Sequence, residues 1–129
     1  MTIIRHHLPG LPPSTSPSPH ATEVDGWVHL TGQFPRDLDD PAAPLPGGIA
    51  AQTTATLRNM ARVLGLLGLD WSHLVSMRVY LSDFARDYDA MNLAYADAIP
   101  AGYRPVRTCV GVQALVRGAL VEIDCVARR

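Results

Sequence analysis

The chain has 129 residues, 47% of them apolar and 18% charged, with a formal net charge of −1. That balance excludes a disordered chain and fits one domain, residues 1–129, with a real core. No apolar run approaches the roughly 20 residues of a membrane span, "MTIIRHHLPG" lacks the apolar region of a secretory signal, and no basic excess points to a phosphate-backbone partner.

An opening strand near "TIIRHH" runs into "LPGLPPSTSPSPH", residues 8 to 20. Proline there removes N–H donors and fixes φ, so the segment is predicted as an extended loop wrapping the surface. Trp27 to Thr31 alternates as a strand, with Trp27, His29 and Thr31 on one face and Val28 and Leu30 on the other. After the turn-rich "DDPAAPLPGG", Ile49 to Leu67 has helical period through Ile49, Thr53, Leu57, Met60, Leu64 and Leu67. Gly68 fits the position just past its end, and Asp70 can cap a single turn in "LDWSHL". Leu74 to Leu81 is a strand with Val75, Met77, Val79 and Leu81 on one face. "RDYDAMNLAYADAI" is a second helix, capped by Asp83 or Asp87 and closing before Pro100. Val106 to Val112 and Leu120 to Ala127 are the last strands.

The order β-β-α-β-α-β-β predicts an α+β fold: a two-layer domain, a mixed sheet with both helices on one face. "QALVRG" is short enough for a hairpin-like return between the last two strands. If the other sheet face is apolar, a monomer would expose more apolar surface than soluble monomers tolerate, so an oligomer is expected. The two cysteines, Cys109 and Cys125, have neither disulfide-framework nor metal-site spacing, and free thiols in a cytoplasmic protein are expected.

In "RPVRTCVGV", alternation places Val106, Thr108, Val110 and Val112 on one side, expected to be core. Arg107, Cys109 and Gly111 lie on the other, as a pocket wall of one cation, one thiol and open space. In the last strand Val121, Ile123, Cys125 and Ala127 share a face. Glu122 and Asp124, about 7 Å apart, share the opposite one with Leu120 and Val126. A buried, unpaired arginine would cost several kcal/mol, so Arg107 needs an anion. Two readings stand: an ion pair with Glu122, internal if the strands are neighbours or else between subunits, or a bidentate grip on a substrate carboxylate with Glu122 holding or activating water. His6, His7, His29 and His73 have no metal-ligand spacing. His29 faces either a cleft or a partner, or simply packs, and Trp27 and Trp71 are expected as packing anchors.

"RPVRTCVGV" followed by "VEIDCVA" resembles the RidA/YjgF family, also called endoribonuclease L-PSP. "LTGQFP", "AAQTTATLRNM", "LVSMRVYLSDF" and "DAMNLAYADAI" match further family segments in order, from about His20 to the end. The resemblance implies a chorismate-mutase-like fold, a homotrimer, and clefts between adjacent subunits. It implies hydrolysis of reactive 2-imino acids, or their enamine tautomers, to 2-oxo acids and ammonia, with no metal or organic cofactor. By position, Arg107 matches the arginine that binds the substrate carboxylate, and Glu122 the acid that positions water. Cys109, Thr31, Gly32 and Asn92 match residues lining the site.

This sequence departs from the family at three places. His20 stands where many members have tyrosine, either contacting substrate or lying in solvent. Thr31 replaces serine, and Gly111 replaces a common acid. These changes bear on substrate range more than on reaction type. The competing readings are a trimer that binds small carboxylates without turnover, a deaminase dedicated to one pathway, and an endoribonuclease. Near-neutral charge and the lack of an interleaved basic and aromatic surface weigh against the last.

Overall fold

The computed structural model describes residues 1–129. Six strands form one sheet: β1 (Ile4–His6), β2 (Ala21–Val24), β3 (Trp27–Leu30), β4 (Leu74–Leu81), β5 (Val106–Gly111) and β6 (Val121–Arg128). Two helices, α1 (Ile49–Leu66) and α2 (Phe84–Ala98), cover one face. The sheet order is β1-β2-β3-β6-β4-β5, and only β4 and β5 run parallel. The α+β two-layer architecture is as the sequence predicts, with two corrections to its connections.

The first correction is an extra strand. Ala21–Val24 pairs with both β1 and β3, so the order is β-β-β-α-β-α-β-β. Its signal is the dipeptide Asp25-Gly26, whose φ angles of 50° and 79° are both positive. That is the requirement of the tight turn whose twist matches a hairpin.

The second correction concerns the C-terminal strands. β6 does not return beside β5; it inserts between β3 and β4, antiparallel to both. Val112 N–H donates to Leu81 O at 2.9 Å and Ser82 N–H to Leu120 O at 3.2 Å. The connecting segment thus passes the end of β4 and delivers β6 to that strand's far edge. Placing β6 there makes β4 central, where Met77, Val79 and Leu81 are at most 1% exposed.

Why the helices stop and start where they do is local chemistry. Gly68 has φ +75°, a backbone state cheap only for glycine. It lets Leu69 N–H reach Leu64 O (2.9 Å) and Gly68 N–H reach Gly65 O (3.0 Å), closing α1 with satisfied carbonyls. Asp83 caps α2 by accepting from Arg86 N–H, and Asp70 caps the single turn at Trp71–His73. Between the layers, Leu57, Met60, Val63 and Leu64 of α1 meet Val79, Val121 and Ile123 in one continuous core. Each such side chain contributes about 1.5–3 kcal/mol by leaving water.

The opposite sheet face is open. Val106 is 74% exposed, with Val110 and Trp27 also exposed. The expectation that Val106, Thr108 and Val110 form core is therefore inverted: they face outward, and Arg107 and Cys109 face the helices. Trp27 is likewise no core anchor, lying beneath the Arg128 guanidinium at 5.5 Å. On β4 a bulge between Leu74 and Ser76 ejects Val75 from the row of Met77, Val79 and Leu81.

Candidate active site

Arg107 is the second residue of β5, the edge strand next to β4, in register with Met77. Alternation turns its side chain toward α2. There Arg107 Nη2 donates to Asn92 Oδ1 at 2.7 Å. Its guanidinium carbon lies 4.8 Å from the Tyr95 ring centroid and 6.0 Å from that of Tyr88. Tyr88 in turn stacks on Phe84 at 4.7 Å. These rings favour a cation by about 0.5–2 kcal/mol each according to burial, but they carry no charge. Arg107 enters none of the chain's seven ion pairs.

Cys109 and Gly111 continue along the same side of β5. Burial pushes the Cys109 thiol up, only partly offset by Arg107, so it stays protonated at neutral pH. At Gly111 an added Cβ would lie 3.1 Å from Phe84 Cβ, so a side chain there would crowd the aromatic pair. The aromatic floor was legible as spacing: Phe84, Tyr88, Asn92 and Tyr95 recur at four, four and three along α2.

Glu122 sits on β6 with its side chain on the open face, directly opposite Tyr80 of β4. It has no ion-pair partner in the chain. Burial, and then the neighbouring Asp124 charge, push its carboxyl above the ordinary value. Asp124 itself is occupied, accepting from Arg78 at 2.9 Å twice and from Tyr80 Oη at 3.2 Å.

Glu122 lies against Gly32: a Cβ built there would come within 2.6 Å of Glu122 Oε2. Only a residue without a side chain leaves that space. The backbone around it is irregular. His29 pairs with Val126 but Gln33 with Ile123, so four steps on one strand match three on the other. This extra residue re-aims Thr31 and Gly32, as bulges beside functional sites do. Thr31 N–H donates to His20 O at 3.1 Å, and its hydroxyl lies 3.5 Å from Ser18 Oγ.

His20 is buried, 7% exposed, and not a solvent-facing loop residue. Its Nδ1 accepts from Leu8 N–H and its Nε2–H donates to Pro12 O, each at 2.8 Å. Both ring nitrogens thus staple the proline-rich loop, although the side chain still borders a small crevice with Thr31 and Gly32.

The structure therefore groups the expected residues into two sets. Arg107, Cys109 and Asn92 meet on the helix side of the sheet; Glu122 and Gly32 meet on the open face, and Thr31 and His20 border a small crevice with Gly32. The expected neighbour pair of Arg107 and Glu122 does not form within the chain, because β4 separates their strands and the two side chains leave opposite faces. No three His, Cys, Asp or Glu side chains gather in metal-holding geometry.

Residues 11–129 match the family model described as endoribonuclease L-PSP. The chain is 35% identical over 118 residues to the 3-aminoacrylate deaminase RutC of Acinetobacter baylyi, covering 92% of this chain and 91% of that one. It is 32% identical over 117 residues to the 2-iminobutanoate/2-iminopropanoate deaminase of Mus musculus, covering 90% and 84%. Among solved structures, YyfA of the Rid family from Yersinia pestis superposes with a TM-score of 0.90 at 26% identity, over 99% of this chain and 100% of that one. The family-model match, these relatives and the shared fold agree, and the chain belongs to the RidA/YjgF family, the family of the endoribonuclease L-PSP model.

Proposed function

We propose that this protein hydrolyses reactive 2-imino or enamino acids to 2-oxo acids and ammonia, in clefts that two copies of the chain build together within a homotrimer. The observation that carries this reading is Arg107: a guanidinium held in place by Asn92 and two aromatic faces, yet without a carboxylate of its own. A substrate carboxylate supplies the missing charge through two parallel hydrogen bonds. Glu122 waits on the opposite sheet face with a raised affinity for protons. A neighbouring copy packed on the exposed Val106 and Val110 face brings the two groups together.

In the cleft, Arg107 fixes the carboxylate and so presents the C=N carbon. Glu122 accepts a proton from water as the oxygen attacks that carbon, forming a carbinolamine. Glu122 returns that proton to nitrogen and takes the hydroxyl proton as C–OH becomes C=O; cleavage of C–N releases ammonia, and the proton left on Glu122 passes to ammonia or solvent. In this reading Thr31 Oγ1 and the Gly32 backbone hold the attacked end. The Cys109 thiol, protonated, fills the wall beside the clamp and is not a nucleophile. Positioning and proton transfer through Glu122 suffice because a protonated imine is already electrophilic.

We assign 2-iminobutanoate and 2-iminopropanoate as the first substrates to test, with 3-aminoacrylate as the enamine counterpart. The test is ammonia release from iminobutanoate generated in situ by a threonine dehydratase. Acceleration by the wild type and none by Arg107→Ala supports the reading; no acceleration of any of the three substrates sinks it. A carboxylate-binding trimer without turnover is the second reading, favoured by the fact that within one chain Glu122 leaves the sheet face opposite to Arg107, so the clamp has no base beside it. It predicts 2-oxobutanoate binding that Glu122→Gln leaves untouched, without turnover by the wild type.

A further inference from the structure

A cavity of about 390 Å³ lies between the loop 35–46 and α1, and none of its lining residues belongs to the Arg107 or Glu122 groups. It is lined by Arg36, Arg58 and Arg62, with Pro35, Pro44 and Pro46 among its walls. We propose that this cavity is a second binding site, for a phosphorylated small molecule.

The loop that forms it is fastened at several points. Asn59 Nδ2 donates to Phe34 O at 3.1 Å and Arg36 O at 2.7 Å. Arg117 donates to Pro41 O and Ala43 O, both at 2.9 Å, and Gln52 to Pro46 O at 2.9 Å. The pocket is thus preformed, and its size falls within the roughly 300–1,000 Å³ of small-molecule sites.

Its charges are unbalanced. Asp37 Oδ1 is taken by the Asp39 and Asp40 N–H groups at 2.8 and 3.2 Å. Asp39 pairs with Arg62 at 2.8 Å, but its side chain is 77% exposed, so that bond is open to exchange. Arg58 enters no ion pair. Arg36 has only a 3.2 Å bond to Pro13 O and the face of Phe34 at 5.7 Å. Two guanidiniums without acids, and a third weakly held, suit the several oxygens and multiple charge of a phosphoryl group better than the two oxygens and single charge of one carboxylate. The proline and alanine walls take an uncharged body. Asp37 is held to the loop's own N–H groups, and no histidine, cysteine, serine or threonine lines the cavity, so the site binds and does not react.

The test is calorimetry of the full-length protein at low ionic strength with inorganic pyrophosphate as probe, beside citrate as the carboxylate probe. The expected result is saturable binding of one pyrophosphate per chain, weakened about tenfold or more by Arg58→Ala and retained by Arg107→Ala. Pyrophosphate should also raise the Tm of the wild type more than that of Arg58→Ala. Arg58 is exposed, and an unchanged Tm without probe verifies that its variant folds. No saturable binding, unchanged affinity in Arg58→Ala, loss of binding in Arg107→Ala, or tighter binding of citrate would each overturn the proposal. Because no arm uses ammonia release, this outcome is independent of the deaminase reading.

Discussion

Two glutamates on one sheet meet opposite fates. Near the β1–β2–β3 end, Glu23 is buried and fully partnered: Arg129 donates to its two oxygens at 2.7 and 3.1 Å, and His6 Nε2 lies at 2.9 Å. The Arg129 bond, assisted by His6 and opposed by burial, lowers its pKa from 4.5 to about 2. On the interior strand β6, Glu122 is half-buried with no ion-pair partner, and its pKa is raised. Arg107 shows the same lack with the sign reversed. The contrast separates charges that hold the fold from charges held for something else. A structural charge is neutralised within the chain, because an unpaired one costs free energy that folding must offset. Where that cost is left standing on two groups at once, a ligand or a second copy is the natural recipient.

The sharpest way to break this contrast is to remove the unsatisfied groups. Arg107→Ala and Glu122→Gln should each lower ammonia release about a hundredfold or more. Glu122→Gln should spare 2-oxobutanoate binding, while Arg107→Ala should not. Neither should lower Tm much, since neither group is paired within the chain. Co-expressing the two inactive variants should restore part of the wild-type rate, because a mixed assembly contains clefts with one intact Arg107 and one intact Glu122. A mixture as inactive as its parts would mean that the two residues do not share a cleft between copies.

A smaller effect is expected at Gly32. Gly32→Ala pushes its methyl group into the space of Glu122 Oε2, 2.6 Å away, so turnover should fall about tenfold through misplacement of the base. A rate equal to wild type would show that Glu122 need not lie over this glycine.

The pH profile offers a finer test. In the proposed mechanism Glu122 is a base only when ionised, so its raised pKa should place the acid limb of activity above the range of an ordinary glutamate. Asp124→Asn removes a like charge and frees Arg78, both of which favour the carboxylate. The limb should therefore move to lower pH; a shift upward, or none, would detach Glu122 from the rate.

At the structural end the readout is stability. Glu23→Gln should destabilise by about 1–3 kcal/mol at neutral pH, the cost of leaving partly buried partners unsatisfied. Because folding lowers the pKa of Glu23, its contribution is complete above 4.5 and fades as pH falls toward about 2. The Tm gap between Glu23→Gln and wild type should close over that window and leave turnover at neutral pH nearly unchanged.

The sequence by itself determined what depends on neighbours a few positions away. Period and capping place α1 between Ile49 and Gly68 and Asp70 at the cap of its single turn, and leave Asp83 or Asp87 for α2, of which the structure uses Asp83, because a helix is made of contacts three and four residues apart. Alternation separates Arg107, Cys109 and Gly111 from Val106 and Val110 because a strand's faces follow from its pleat. The family segments from His20 onward supply the expected roles, and the match over residues 11–129 bears out the family. Alternation does not say which face is inside. Val106 looks like core beside a charged arginine, yet at a sheet edge the apolar row points out and the arginine turns under α2. Nor could the chain order place β6 between β3 and β4, since that position is chosen by burial of β4 against both helices. The separation of Arg107 from Glu122 follows from that choice alone. Two side chains fifteen residues apart in sequence come to face away from each other, and only tertiary packing decides on which side of the sheet each one waits.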